Sequence, residues 1–127
     1  MALRSSLGRA RGLGSAKEGV GHWIQQRFTA LALVPLSFWF LSQVIILSRG
    51  DYQDYAAWVG IPGNATLLIV LLAMVFHHAQ LGLQVVIEDY IHDAVLKVGS
   101  VVAVKLLALV FFVFSVVAVL RTAFSGG

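Results

Sequence analysis

Between Asp54 and Glu88 the chain carries no Asp, Glu, Lys or Arg. A second charge-free run covers Phe28–Ser48, and Val98–Leu120 holds only Lys105. About 20 apolar residues, rising roughly 1.5 Å each, cross the hydrocarbon core of a bilayer as a helix. Each run is long enough. The pattern predicts an all-α integral membrane protein with three transmembrane helices, over about Trp23–Ser48, Asn64–Ile91 and Val98–Leu120. Composition agrees. Of 127 residues, 12% are charged and 59% hydrophobic, whereas soluble domains are about 25% charged. Too little polar side chain is present to cover a water-facing surface, which excludes a soluble enzyme.

The flanks read differently. Residues 1–20 form a polar arm carrying Arg4, Arg9, Arg11 and Lys17 against Glu18, ahead of a transmembrane domain over 21–127. The arm has some of the composition of an organellar transit peptide, but it is short and is read as a mobile, retained tail. Pro35 falls inside the first span, where a membrane helix tolerates it and a kink is expected. Between the first two spans, Gly50-Asp51 and Pro62-Gly63-Asn64 are turn signals. Tyr52, Tyr55 and Trp58 recur every three residues between them, which suits a short helix at headgroup level. The formal charge of +3 is read as flanking Lys and Arg rather than a nucleic-acid surface. By the positive-inside rule the basic arm is cytoplasmic. Three spans then place the C-terminus on the opposite, periplasmic side of a bacterial inner membrane; a mitochondrial inner membrane is the alternative.

The polar residues of the second span carry the chemical information. His77, His78, Gln80 and Gln84 lie within it, and Glu88, Asp89, His92 and Asp93 mark its exit. Polar side chains inside a membrane are costly and usually functional. At about 100° per residue, His78, Gly82, Val85 and Asp89 share one face. His77, Leu81, Gln84 and Glu88 share the next. A neutral imidazole is a strong ligand for haem iron. Gly82, one turn from His78, removes a side chain where a flat porphyrin would approach, whereas Leu81 beside His77 would crowd it. The alternative is that both histidines hydrogen-bond across a helix interface. His22 and His92 sit at span ends, so a second axial ligand would have to come from another chain.

Arg27, with His22 about one and a half turns before it, is placed to meet anionic haem propionates; the alternative is snorkelling to lipid phosphates. Lys105, about two turns into the third span, can carry its ammonium back toward the polar edge. Asp89-Tyr90 lies about 16–18 Å along the helix from His78, at the cytoplasmic interface. A phenol there suits a hydrogen bond to a quinone carbonyl, with Asp89 supplying or orienting protons; an interfacial anchor beside a helix-ending Asp is the plainer reading. The chain has no cysteine, so it holds no disulfide and no iron–sulfur cluster of its own. It has no phosphate-binding glycine loop and no paired carboxylates in the membrane, and Ser37 and Ser42 lack a partner base. It can bind and position, but it needs partners for redox chemistry.

Three features together resemble a known family. They are Gly21-His22-Trp23-Ile24-Gln25-Gln26-Arg27-Phe28-Thr29-Ala30 opening the first span; His78-Ala79, then Gly82, then Gln84-Val85-Val86-Ile87-Glu88-Asp89-Tyr90; and three spans in a chain of this size. Over about residues 20–121 the chain resembles the hydrophobic membrane anchor subunits of succinate dehydrogenase, in their alphaproteobacterial or mitochondrial-like form; the arm adds nothing to the likeness. The resemblance implies that the helices pack with a partner cytochrome b subunit and hold an iron–sulfur subunit and a flavoprotein subunit to the membrane. It implies His78 as one axial ligand of a shared haem b, Arg27 with His22 near the propionates, and Tyr90 with Asp89 at a ubiquinone-reduction site. His77 beside His78 leaves a one-residue ambiguity, which the Asp89-Tyr90 register resolves. The rival readings are an anchor of another cytochrome b-type quinone oxidoreductase, such as fumarate reductase, and a non-redox membrane scaffold.

Overall fold

The computed structural model describes residues 16–125, with side chains from Gly19 onward. The arm over residues 1–15 lies outside the described residues. Among the described residues, four helices follow in order: α1 (Ala16–Leu47), α2 (Tyr52–Gly60), α3 (Pro62–Tyr90) and α4 (Ala94–Ser125). Among them, α1, α3 and α4 are long and apolar enough to cross a membrane. The expectation of an all-α protein with three spanning helices holds. At about 1.5 Å per residue, the 29 residues of α3 reach well beyond a hydrocarbon core of roughly 30 Å, which a helix accommodates by tilting.

The helices begin and end where local chemistry dictates. α1 is helical from Ala16, where the described residues begin, which is earlier than the Trp23 read from hydropathy; no residue over 16–22 is a proline. It runs on through Pro35. A tight turn closes at Gly50, where an added Cβ would collide with the Asp54 carboxylate. Asp51 then caps α2: its carboxylate accepts from the backbone N–H groups of Gln53 at 2.8 Å and Asp54 at 3.1 Å. The Asp54 side chain accepts from the Asp51 N–H at 3.0 Å, completing a capping box. Pro62 opens α3, where its missing N–H removes nothing the helix needs. Asp93 caps α4 by accepting from the Leu96 N–H at 2.9 Å.

α3 is the central helix, packing against α1 and against α4, while α2 contacts α3 and α4. The tightest apolar cluster sits where α2 meets the bundle. Val59, Ala65, Leu68 and Val119 are buried, with Trp39, Phe40, Trp58 and Leu72 packed on them. Trp58 stacks on Trp39 with ring centroids 5.8 Å apart, and its indole N–H donates to Gln43 Oε1 at 3.0 Å. Most other large apolar side chains face outward, among them Phe28, Leu31, Phe38, Ile45, Phe111 and Phe114. In lipid those faces need no cover. Helices there adhere through close packing and interhelical hydrogen bonds rather than by escaping water.

Candidate functional site

At the end of the bundle away from α2, the α1–α3 seam is polar. Thr29 on α1 is 2% exposed, and its Oγ1 lies 3.0 Å from Nδ1 of His78 on α3. The same hydroxyl lies 2.9 Å from the carbonyl oxygen of Gln25 and 3.1 Å from that of Gln26. One turn on, a Cβ added at Gly82 would sit 3.7 Å from Gln26 Nε2. Gly82 therefore faces α1, as His78 does. Since Thr29 meets His78 while Gln26 meets Gly82, α1 and α3 run antiparallel. His22, Gln26 and Thr29 recur at four- and three-residue spacing, which is one helix face. Two side-chain atoms on that face, His22 Nε2 and Gln26 Oε1, are buried without a hydrogen-bond partner.

The two adjacent histidines go to different places. His78 is half-buried and turned to α1. His77 is exposed and lines a groove of about 260 Å³ between α3 and α4, together with Phe76, Gln80, Lys105 and Phe112. Phe76 and Phe112 meet edge to face in its wall, centroids 6.4 Å apart. Gln80 donates to Gln84 at 3.3 Å, and Gln84 donates to Glu88 Oε1 at 2.8 Å. A hydrogen-bonded stripe thus runs from the middle of α3 to its end on the His77 side. Lys105 belongs to that groove, not to the His78 seam.

The remaining candidates stand at the edge. Arg27 is exposed, one residue round from the buried face, with its guanidinium carbon 5.4 Å from the Trp23 ring centroid. The structure brings His22 to the α1–α3 seam and leaves Arg27 outside it. Asp89 and Tyr90 close α3, with Tyr90 79% exposed. Because α1 and α3 are antiparallel, His22, Arg27, Asp89 and Tyr90 share one end of the bundle.

Whether these residues suit a haem is a question of donor chemistry and room. With Nδ1 of His78 engaged by Thr29, Nε2 is the nitrogen left for a metal. One turn away Gly82 presents no side chain, and the Gln26 amide of α1 lies 3.7 Å from where its Cβ would sit. The residues fit one axial position. Among the described residues no three His, Asp or Glu side chains converge on a metal-sized site. Sequence reasoning missed Thr29. Its signals were its place in the motif opening the first span and the spacing that puts it on one face with His22 and Gln26.

The family described as succinate dehydrogenase/fumarate reductase transmembrane subunit matches residues 1–120, including the arm that motif reading left out. The chain therefore belongs to that family of transmembrane subunits. It is similar to the succinate dehydrogenase hydrophobic membrane anchor subunit of Rickettsia bellii, with 37% identity over 117 residues, 92% of this chain and 94% of that one. It is 32% identical to the subunit of the same description from Rickettsia conorii, over 91% of this chain and 93% of that one. A succinate dehydrogenase membrane anchor subunit of Reclinomonas americana is 27% identical over 73% of this chain and 80% of its own length. No solved structure matches. Within the family, the likeness is to the anchor subunits of succinate dehydrogenase, and the chain is a membrane part of an oxidoreductase complex.

Proposed function

We propose that the chain anchors the flavoprotein and iron–sulfur subunits of a succinate:ubiquinone oxidoreductase, lends one axial ligand to a haem b shared with a cytochrome b subunit, and builds part of the ubiquinone-reduction site. The observation that supports the haem assignment is the Thr29–His78 contact at 3.0 Å, which engages Nδ1 and leaves Nε2 open, with Gly82 one turn along the same face. His78 would hold the iron through Nε2, on the side of the ring away from Thr29. Arg27, with His22 at the same end, would meet the propionates. When bound, the haem would supply a one-electron carrier.

Tyr90 works at the membrane edge. As a quinone carbonyl is reduced, negative charge grows on its oxygen, and a positioned donor stabilises that charge more than it stabilises the starting carbonyl. The Tyr90 phenol is that donor, and Asp89 beside it orients or supplies protons. Tyr90 stands free in this chain, so the other walls of the pocket come from partner subunits. The end of the bundle bearing Tyr90 faces the cytoplasm with the N-terminal arm, the side from which electrons arrive.

The test of the haem assignment is a pair of variants in the assembled complex, His78→Leu and His77→Leu, read by the reduced-minus-oxidised haem spectrum. Loss or change of the haem bands in the first alone is the expected result. Loss in His77→Leu with an unchanged spectrum in His78→Leu would place the ligand one residue earlier and sink the assignment.

A further inference from the structure

We propose that Thr29 is the positioning residue of the haem-ligating histidine: its hydroxyl holds the His78 ring in the tautomer that carries hydrogen on Nδ1 and leaves Nε2 bare for iron. The inference rests on His78 being the axial ligand and adds a residue that this reading by itself does not require.

A hydroxyl has one proton to give and two lone pairs to receive with. Three groups surround Thr29 Oγ1: the carbonyl oxygens of Gln25 and Gln26 at 2.9 and 3.1 Å, and His78 Nδ1 at 3.0 Å. The carbonyls only accept. If the hydroxyl gives its proton to Nδ1, the ring's own hydrogen sits on Nε2 and that nitrogen cannot bind a metal. If the hydroxyl gives its proton to a carbonyl one turn back, Oγ1 is free to accept from Nδ1–H. Then both contacts are hydrogen bonds at once and Nε2 carries a lone pair. Iron at Nε2 is compatible only with the second arrangement, and the α1 carbonyls stabilise it. Thr29 is 2% exposed, so water does not replace it.

Consequences follow for which histidine binds and how. His77 lines an open groove beside Lys105 and Gln80 and is turned away from Thr29. The neighbour that carries the tautomer lock is the one proposed to bind. A ring N–H that donates to an oxygen makes the opposite nitrogen a stronger base. A more basic ligand favours ferric over ferrous iron, so the Thr29 bond lowers the haem's reduction potential.

The experiment uses the whole purified complex carrying Thr29→Val, Thr29→Ser or His78→Leu, with haem measured per covalently or tightly bound flavin. Val keeps the shape of Thr and removes the acceptor; Ser restores it. In Thr29→Val we expect haem retention weakened about 10- to 100-fold, the range for loss of a ligand's outer partner. The remaining haem should have a more positive midpoint potential, and Thr29→Ser should return both readings to those of the unaltered complex. Thr29→Ala is the second variant should Val disturb assembly. Retention and potential unchanged in Val and Ala, with haem lost in His78→Leu, would overturn the Thr29 role and leave His78 as ligand. Unchanged haem in His78→Leu would overturn both. A defect that Ser does not rescue would mark Thr29 as packing alone and also refute the role.

Discussion

His77 and His78 are adjacent in sequence, yet their environments differ in kind. One residue of helix is about 100° of rotation, and that rotation carries His78 onto the α1 seam and His77 into the α3–α4 groove. The same geometry sets the response at Gly82. A Cβ there meets its nearest neighbour, Gln26 Nε2, at an ordinary 3.7 Å. Gly82→Ala should therefore leave the chain folded and assembled, while Gly82→Leu should lower haem content in the same spectrum. Equal haem in both variants would mean that the glycine does not make room for the macrocycle. At the far end of α3, Tyr90→Phe should cut succinate-driven quinone reduction about 10- to 100-fold, the weight of a hydrogen bond to a charged group at roughly 1.5–3 kcal/mol. Subunit composition should not change. Normal turnover with quinone would remove Tyr90 from the site.

At the scale of elements, the spans were legible because a run without Asp, Glu, Lys or Arg has few alternatives to a membrane helix. α2 was legible from its Tyr52, Tyr55 and Trp58 spacing and the turn signals around it. The start of α1 was not, since hydropathy marks where lipid begins and not where hydrogen bonding does. Nor was Thr29. A threonine in an apolar span has no titratable group to draw attention, and its meaning exists only once α1 is laid antiparallel to α3. The surroundings of the two histidines were open for the same reason: one-helix spacing separates faces but cannot say which neighbour each face meets. The capping box of α2 gives an element-scale expectation. Asp51→Ala removes the acceptor for the Gln53 and Asp54 N–H groups and should lower stability by about 0.5–2 kcal/mol, seen as a lower Tm of the purified complex, with the haem spectrum intact. A changed spectrum would show that the two ends of the bundle are coupled.

The whole molecule divides along its length. The α2 end holds the aromatic and aliphatic cluster around Val59, Leu68, Trp39 and Trp58. The other end holds His22, Gln26, Thr29, His78, Asp89 and Tyr90, with little buried carbon among them except Leu81 at 3% exposure. One end supplies packing, and the polar end carries the candidate site. The chain belongs to a succinate dehydrogenase/fumarate reductase membrane family, and its buried polar atoms at His22, Gln26 and Thr29 lie on one face of α1. The most direct measurement is to tag this chain in its native host, purify it in mild detergent, and assay the preparation for succinate-driven reduction of a short-chain ubiquinone analogue. Activity that follows the tagged chain, with flavoprotein and iron–sulfur subunits present, is the expected result. A preparation without that activity and without those subunits would contradict the account.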